Sequence, residues 1–434
     1  MENNWWIDNQ FFINKDNKLL INNYSVEELV SKHGTPLYVY NMDKIIHNYR
    51  RINEAMKKYC PDNMKVSIHY AMKANGSREV LKRLLQEGCC IGSASVGEFT
   101  RAIECGYKPE NIIFTAPAFG LNNYKVVAEK GVLMNVDSFS QIKRLAKFGP
   151  LDIAIRHNPG INGVGFNKKY KMSGEDIKAI RLGIYTDDII DAFEMARELG
   201  LNPVCLHQHV GSNWTDESQI PLFQQSIESA LEKIQELEKR GFKIKTLNIG
   251  GGPGVKSHSD YAPFPLEEFS KAVWDVVSRY KTNITELALE PGRFIVDDAG
   301  ILLAQVDVVE QKKGINLVGI NAGFNLIHHM FIYNIQKEIC NTSNLESDKT
   351  ETYSIGGYLG EQSDIFFEER ELPIIQEEEI VALFPAGGYC ASELAFHHLL
   401  QHPKEAIIEG DQLKVNEIEY KQVLLSKHEE ISNY

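Results

Sequence analysis

The chain has 434 residues, 43% hydrophobic and 24% charged, and carries a net charge of −13. This length suits two or three domains, and the acidic balance disfavours an extended nucleic-acid surface. No apolar run approaches a membrane span, and the first residues lack the basic and apolar regions of a secretory signal. Seven scattered cysteines without a CxxC pair are typical of reduced thiols. We therefore expect a cytoplasmic protein that binds neither nucleic acid nor membrane.

The first 300 residues alternate between strand and helix patterns. Residues 1–36 are a lead-in with short strands in Phe11–Ile21 and a helix near Ser25–His33. Strand-like segments then alternate with apolar residues spaced as on one helix face. The predicted strands are Ser67–Ala71, Cys89–Ile91, Ile112–Thr115, Leu133–Val136, Asp152–Arg156, Val204–Gln208, Thr246–Ile249 and Glu286–Leu289. Their number and order predict a (β/α)8 barrel over residues 37–300, with a functional insertion at Asn158–Gly183.

Beyond residue 300 the strands lose their regular crossover helices. The predicted strands are Ile301–Val309, Asn316–Asn321, Glu351–Ile355, Glu379–Phe384, Ala406–Glu409 and Gln412–Val415. This pattern predicts a mostly β domain, a sandwich or barrel, over residues 301–434. We expect residues 1–36 to complete it.

One lysine stands where the first barrel strand ends. The segment SIHYAMKAN (Ser67–Asn75) is a strand that stops at Lys73 and breaks on Ala-Asn-Gly. Burial there would lower the pKa of the amine and let it form a Schiff base with an aldehyde. Most lysines at strand ends are simply solvated, so the other strand ends must support this chemistry.

Three later strand ends carry polar motifs, and a barrel brings all of them to one rim. They are HQHVGS (His207–Ser212), NIGGGPG (Asn248–Gly254) and EPGR (Glu290–Arg293). The glycines Gly250, Gly251 and Gly252 can present N–H groups to an anion, although such a run also forms tight turns. Arg293 can add a forked donor to a phosphate or a substrate carboxylate. Glu290 is either a structural carboxylate or the partner of a cationic ring nitrogen.

The histidines of the first motif allow more than one interpretation. His209 fits a buried core histidine or a ring that stacks on a flat cofactor. The spacing of His207 and His209 puts both on one strand face, so a metal site must be weighed, although no third ligand lies nearby in sequence. A lysine, an anion cradle, a carboxylate and a stacking ring together describe a pyridoxal 5'-phosphate site. In that interpretation Lys73 holds the cofactor and Glu290 keeps its ring nitrogen protonated.

These motifs, with YAMKAN (Tyr70–Asn75), SVGE (Ser95–Glu98) and GGY (Gly387–Tyr389), resemble the type-III pyridoxal-phosphate decarboxylases. The resemblance covers about Pro36 to Tyr389 and is greatest to diaminopimelate decarboxylases. It implies that Lys73 is the Schiff-base lysine and that His209 stacks on the ring. Ser212, the three glycines and Tyr389 would contact the phosphate. It also implies a homodimer whose active sites are each completed by a loop of the partner's β domain.

The loop that would cross to the partner departs from the family pattern at the thiol position. The family reads GPxCExxD, with a cysteine facing the reacting carbon, whereas Gly357–Asp364 reads GYLGEQSD. Gly360 therefore replaces the thiol, while Glu361 remains as a catalytic residue and as the partner of a distal substrate ammonium. The proton for the substrate Cα must then come from water, Lys73, His209 or another cysteine such as Cys390. We predict slower or less faithful protonation.

The predicted substrate-carboxylate site also departs from the family. Its RPALY segment corresponds to His329–Tyr333, in which Tyr333 survives and His329 replaces the arginine. Histidine is a shorter and only partly charged anion ligand at pH 7, so Arg293 would carry more of that binding. The insertion reads NGVGFNKKYKMSGED in place of the family's THxxISTG.

The leading hypothesis is a pyridoxal-phosphate-dependent carboxy-lyase whose small-molecule substrate is an amino acid. The best substrate is meso-diaminopimelate, decarboxylated to lysine, or a related diamino acid. One alternative is a non-catalytic homologue that regulates an active partner. The other is a barrel metallohydrolase built on His207 and His209.

Overall fold

The computed structural model describes residues 4–8, 10–116, 121–161 and 181–417, so the insertion text at 162–176 lies outside the described residues. The chain divides into two compact units. The first, here called the β-rich unit, contains residues 1–45, 257–259 and 296–434, and the barrel unit contains 46–256 and 260–295. Among the described residues, every helix is too short or too polar to cross a membrane.

The N-terminal segment belongs to the β-rich unit. Its elements are β1 (Phe12–Lys15), β2 (Lys18–Ile21), β3 (Tyr24–Ser25), α1 (Val26–His33) and β4 (Leu37–Asn41). Strands β1–β3 form a small antiparallel sheet. Helix α1 begins after Ser25, whose hydroxyl accepts the Glu28 N–H at 3.1 Å as an N-cap.

The barrel unit contains a closed ring of eight parallel strands. Their bounds, with one short additional strand β10, are β5 (Lys65–Ala71), β6 (Cys90–Ser93), β7 (Ile112–Thr115), β8 (Leu133–Val136), β9 (Asp152–Asn158), β10 (Ile184–Tyr185), β11 (Asn202–Gln208), β12 (Thr246–Asn248) and β13 (Glu286–Leu289). The order β9-β11-β12-β13-β5-β6-β7-β8 closes because β8 also pairs with β9. This confirms the predicted (β/α)8 barrel.

Helices follow the barrel strands in the predicted alternation. They are α2 (Met42–Lys58), α3 (Arg78–Gln86), α4 (Val96–Glu104), α5 (Leu121–Ala128), α6 (Phe139–Leu145), α7 (Ile189–Glu198), α8 (Ile220–Lys239), α9 (Leu266–Arg279) and α10 (Arg293–Val296). The apolar spacing explains their orientation, since α8 buries Phe223, Ile227, Leu231 and Ile234 on one face.

The C-terminal part of the β-rich unit forms one large mixed sheet. Its elements are β14 (Gly300–Lys312), β15 (Ile315–Ile320), α11 (His328–Tyr333), β16 (Glu338–Asn341), β17 (Glu351–Gly356), β18 (Ile365–Leu372), β19 (Ile380–Phe384), β20 (Lys404–Glu409) and β21 (Gln412–Asn416). The main path runs β18-β17-β15-β14-β4-β20-β21, and β19 pairs with both β14 and β16.

The N-terminal residues complete the core of this sheet. Trp6, Phe12 and Leu19 are buried in one cluster with Ile301 and Phe384. The Trp6 ring stacks on Phe384 with centroids 4.6 Å apart, which adds to the apolar burial. The prediction that the N-terminal segment completes the β domain is therefore confirmed.

Besides the two-residue β3, strands β4, β16 and β18 of this unit were not predicted from the sequence. Strand β4 (LYVYN) is buried throughout and pairs with β14 and β20, although the sequence placed it in the barrel range. Strand β18 carries Glu368, Glu369 and Arg370, whose charges obscure its alternation. Strand β16 (EICN) is short and contains two polar residues, so its pattern is weak.

Candidate active site

Three strand ends bring a lysine, a carboxylate and a glycine turn to one rim of the barrel. Strand β5 leads into a turn of 3-10 helix, Met72–Ala74, which carries Lys73. Its parallel neighbour β13 leads into Glu290, and β12, next to β13, leads into Gly250. The Glu290 N–H donates to the Gly250 carbonyl at 2.7 Å, and the Ala71 N–H donates to the Pro291 carbonyl at 3.1 Å. The three motifs therefore leave their strands at the same end of the barrel.

Asn248 joins the carboxylate to the glycine turn. Its Nδ2 donates to Glu290 Oε1 at 2.7 Å, and its Oδ1 accepts the Gly250 N–H at 2.8 Å. The side chain is buried, so both bonds are shielded from water. Because one amide makes both bonds, the Glu290 carboxylate and the start of the glycine turn are fixed relative to each other.

The environment of Glu290 keeps this carboxylate ionised. Burial raises the pKa of Glu290, but the neighbouring His207 and the Asn248 amide outweigh burial and lower the pKa below its ordinary value. His207 Nε2 lies 3.2 Å from Glu290 Oε1. Burial lowers the pKa of His207, so the imidazole is neutral at pH 7 and acts through its N–H dipole. Asn248 is therefore the firmer partner of the carboxylate.

The glycine turn allows no side chain at its first two positions. Gly250 has a φ of +72°, and a Cβ there would lie 2.3 Å from the Gln208 carbonyl oxygen. A Cβ on Gly251 would lie 2.6 Å from the Glu290 carbonyl oxygen and 3.4 Å from Cε1 of His209. The turn therefore needs glycine at both positions, because its backbone packs directly against the ends of the neighbouring strands.

His209 is held by that turn. Its Nδ1 accepts the Gly251 N–H at 3.1 Å, which places the ring proton on Nε2. Burial lowers the pKa of His209 well below its usual value, and the charges of Arg156 and Lys73 lower it further. The ring is therefore neutral, oriented and partly exposed.

Two charged residues near this rim were not selected from the sequence. Arg156 is buried in β9, and its Nη2 lies 3.5 Å from the His209 carbonyl oxygen. Burial raises the pKa of Asp137, after β8, and the Arg156 charge opposes that rise. A charged residue inside the apolar run IAIRHN is the signal that could have identified Arg156, because an unpaired charge is costly inside a barrel.

The SVGE motif has a structural role that is visible at the start of α4. The Ser95 hydroxyl accepts the Glu98 N–H at 3.1 Å, and Glu98 Oε2 accepts the Ala94 N–H at 2.6 Å. These bonds resemble a capping box. Burial raises the pKa of Glu98, whereas the Lys73 charge lowers it. Glu98 therefore lies within electrostatic reach of the lysine.

The other predicted site residues of the barrel unit are Lys73, Ser212 and Arg293, and their side chains differ in exposure to solvent. Lys73 is exposed, contrary to the expectation that the barrel buries it. The β5 strand buries Tyr70 and Ala71, but the following turn projects Lys73 away from that core. Ser212 is partly exposed after β11, and Arg293 is buried at the start of α10.

The β-rich unit holds the other predicted residues. The Tyr389 ring stacks on the His329 ring with centroids 4.7 Å apart. The Tyr333 ring also packs against His329, with centroids 4.2 Å apart. His329 Nδ1 is 3.0 Å from Glu393 Oε2. A carboxylate beside the imidazole makes His329 a poorer ligand for a substrate carboxylate than an arginine would be.

The segment 357–364 is a compact loop held by one aspartate. Asp364 accepts the N–H groups of Leu359 at 2.9 Å and Phe324 at 2.7 Å. Gly360 is exposed, and Glu361 Oε1 lies 2.6 Å from His397 Nε2. Cys390 is buried, and its thiol donates to the Gly388 carbonyl at 3.4 Å.

The metallohydrolase alternative lacks a third ligand beside His207 and His209. Within 4–8, 10–116, 121–161 and 181–417, the one group of three close His, Cys, Asp or Glu ligand atoms lies elsewhere, at Glu361, His397 and His398. The two barrel histidines instead contact Glu290 and the Gly251 N–H. This geometry does not support a metal centre on that pair.

Known proteins are similar to this chain in both sequence and fold. A family model described as "Pyridoxal-dependent decarboxylase, pyridoxal binding domain" matches residues 42–297. Diaminopimelate decarboxylase from Methanothermobacter thermautotrophicus is 29% identical over 409 residues, with 93% of each chain covered. The enzyme of that name from Methanocaldococcus jannaschii is 30% identical over 389 residues, with 86% of each covered.

Solved structures agree with this relationship. The crystal structure of diaminopimelate decarboxylase from M. jannaschii in complex with L-lysine has a TM-score of 0.87 at 26% identity, covering 96% of this chain and 97% of that one. A lysine/ornithine decarboxylase from Vibrio vulnificus shares the fold, with a TM-score of 0.74 at 20% identity and coverage of 88% and 96%. The chain therefore belongs to the pyridoxal-dependent decarboxylase family, is most like the diaminopimelate decarboxylases, and is a carboxy-lyase that acts on an amino acid.

Proposed function

We propose that this chain binds pyridoxal 5'-phosphate at the carboxyl end of the barrel strands, through Lys73, and decarboxylates diaminopimelate or a related diamino acid. One observation gives the main support for this cofactor site. Asn248 ties Glu290 to the glycine turn, and the turn in turn holds His209. A carboxylate, an anion-binding turn and a flat ring are thus arranged together on one rim.

The residues present fit the phosphate of this cofactor. The N–H groups of Gly250 and Gly251 are already bonded to Asn248 and His209, so Gly252, next in the turn, would offer the backbone donor to an anion. Ser212 would add a hydroxyl donor and Arg293 a guanidinium. By resemblance to the family, Tyr389 would also contact a phosphate.

The neighbouring side chains fit the rest of the cofactor. When bound, pyridoxal phosphate supplies an electron sink for the electron pair left on the substrate Cα after CO2 departs. Glu290, ionised at neutral pH, would keep the ring nitrogen protonated. The neutral His209 would stack on the ring and hold a proton at Nε2. Lys73 would provide the amine that holds the cofactor covalently.

The substrate proposal rests on the relatives and on the loop 357–364. Relatives over most of the chain are named diaminopimelate decarboxylase. Glu361 would accept the distal ammonium of a diamino acid, and Tyr333 and Arg293 would contact its distal carboxylate. His329, already beside Glu393, would bind that carboxylate weakly. We therefore expect activity on a related diamino acid to compete with activity on diaminopimelate.

We also propose a homodimer with shared active sites, by resemblance to the family. In it, the loop 357–364 of each chain would reach the barrel rim of its partner. Light scattering coupled to size exclusion would measure the mass. Mixing Lys73→Ala chains with Glu361→Gln chains would then test sharing. Restored activity in the mixture supports shared sites, and a mixture with no activity contradicts them.

A CO2-release screen tests the function directly. The purified holoenzyme is offered L-, D- and meso-diamino acids of different length, and mass spectrometry identifies each product. The proposal predicts release from meso-diaminopimelate or a close analogue, with lysine or the matching diamine or diamino acid as product. Release only from amino acids without a second amine would contradict the substrate class and leave the carboxy-lyase assignment standing.

A further inference from the structure

The loop 357–364 meets a later histidine pair in a cluster, and these two histidines have no part in the proposed chemistry. Glu361 Oε1 lies 2.6 Å from His397 Nε2, and Glu361 Oε2 lies 3.6 Å from His398 Nε2. One ligand atom from each of the three side chains lies within 4.8 Å of the others. All three residues belong to the β-rich unit.

We propose that Glu361, His397 and His398 form a binding site for a divalent transition metal, with Zn²⁺ as the best fit. Two imidazoles and one carboxylate are a common zinc ligand set, and they leave a fourth position for water or another ligand. Ligand atoms about 2.1 Å from a tetrahedral zinc ion are roughly 3.4 Å apart. The 3.6 Å between Glu361 Oε2 and His398 Nε2 is close to this value. Glu361 Oε1 and His397 Nε2, at 2.6 Å, would have to move apart by about 0.8 Å to hold zinc.

The loop that carries Glu361 is held in place before any metal arrives. The Asp364 N–H donates to the Glu361 carbonyl at 3.0 Å, and the Asp364 side chain holds the rest of the loop. Glu361 Oε2 is buried and makes no hydrogen bond within the described part of the chain. This oxygen lies 3.6 Å from His398 Nε2, too far for a hydrogen bond, which leaves room for a cation between the two groups. The Glu361 oxygen is therefore available to a cation.

His397 is oriented as well. The His397 ring packs edge-on against Phe324 with centroids 5.2 Å apart, and the Ala395 N–H donates to the Asn325 carbonyl at 3.2 Å. The Phe324 N–H in turn donates to Asp364. The segment at Phe324 therefore contacts both the His397 segment and the loop that carries Glu361. Preoriented ligands reduce the cost of ordering a metal site.

Gly360 leaves space beside the cluster. A Cβ on Gly360 would have one heavy atom within 4 Å, His398 Nε2 at 4.0 Å. A side chain at position 360 therefore points towards the ligands. A cysteine at this position would offer a thiolate as a fourth ligand, which predicts tighter zinc binding.

Metal binding would also affect the reaction. Zinc bound to Glu361 would occupy the carboxylate that is proposed to receive the substrate ammonium. Zn²⁺ would therefore compete with a diamino acid. This consequence rests on the proposed function, whereas the metal site itself does not. Direct measurement of metal binding in the absence of substrate separates a failure of one from a failure of the other.

The test is a Zn²⁺ titration of the dialysed full-length holoenzyme against a chromophoric chelator. We expect one tight zinc per chain, and affinity at least about tenfold lower in His397→Gln and in His398→Gln. His33→Gln, which removes a partly exposed histidine in α1 of the same unit, should bind zinc like the wild type. Gly360→Cys should bind more tightly, and Co²⁺ should give a tetrahedral visible spectrum. Equal zinc affinity in the wild type and the His397→Gln/His398→Gln double variant would overturn the proposal.

Discussion

The Nδ1 atom of His209 accepts a hydrogen bond of 3.1 Å from the backbone N–H of Gly251. This bond leaves the ring proton on Nε2 and fixes the imidazole against the glycine turn. Because burial lowers the pKa of His209 well below its usual value, the ring is uncharged at pH 7. The position of the proposed stacking ring therefore depends on a backbone donor in a different loop.

Gly251→Ala tests this dependence. The new Cβ would lie 2.6 Å from the Glu290 carbonyl oxygen, so the turn must shift and the bond to His209 must lengthen or break. A lost bond and a strained turn predict cofactor affinity lower by about tenfold or more. A cofactor titration followed by absorbance measures the change. Gly319→Ala, where a Cβ would contact only the Val308 side chain at 3.4 Å or more, should bind like the wild type. A normal cofactor affinity in Gly251→Ala would show that the geometry of the cofactor site does not depend on this turn.

Asn248→Leu tests the bond that joins the carboxylate to the turn. Leucine has a similar volume but removes both hydrogen bonds and leaves the Glu290 carboxylate with one amide donor fewer. We expect cofactor affinity to fall about tenfold to a hundredfold, since hydrogen bonds to charged groups contribute about 1.5–3 kcal/mol. The control is Asn202→Leu, which breaks an exposed amide–carboxylate bond to Asp152 at the opposite end of the barrel. Similar losses in both variants would contradict a specific role for Asn248.

Residues at the barrel rim were predictable because buried parallel strands are nearly continuous apolar runs and polar motifs mark their ends. Arg156 was not, because its partners come from other strands and only the closed barrel brings His209 to it. The exposure of Lys73 depends on the turn after β5, which the strand pattern does not specify. The contact between Glu361 and His397 joins residues 36 positions apart with no periodic signal between them.

His157 predicts a pH dependence of stability. Burial lowers its pKa in the folded chain to about 3, whereas the unfolded chain has the ordinary value near 6.5. Between these values the unfolded state binds more protons, so the free energy of unfolding falls as the pH falls from about 6.5 towards 3. One such group contributes a slope of up to about 1.4 kcal/mol per pH unit.

Urea unfolding of the wild type and His157→Gln at about pH 7 and about pH 5 measures that slope. Glutamine does not titrate and retains a polar group towards the Thr186 hydroxyl, which lies 2.9 Å from the imidazole. The difference between the two unfolding free energies should change with pH in the stated direction. His33→Gln should change it less, because His33 is only partly buried. Parallel pH curves for the wild type and His157→Gln would contradict the assignment of a buried neutral histidine.

Gly360→Cys tests the missing thiol. Without it, we predict that some turnovers would end in a carbonyl product in place of the amine, with water supplying the oxygen and the substrate nitrogen staying on the cofactor. The cysteine restores an acidic proton at a position with space for it, so the carbonyl fraction should fall. Product analysis by mass spectrometry, with a metal chelator present, measures this fraction. Gly360→Ser, which has similar size but a much weaker acid, should resemble the wild type. A wild-type product free of carbonyl would contradict the prediction.

Reduction of the holoenzyme with borohydride, followed by peptide mapping, tests the central claim most directly. The proposed site predicts a pyridoxyl group on Lys73, its loss in Lys73→Ala, and its retention in Lys65→Ala. Lys65 begins the same strand at the opposite end and forms an ion pair with Glu286 at 3.2 Å, so it is a matched control. A pyridoxyl group on another lysine, or a holoenzyme whose cofactor survives unchanged in Lys73→Ala, would contradict the claim.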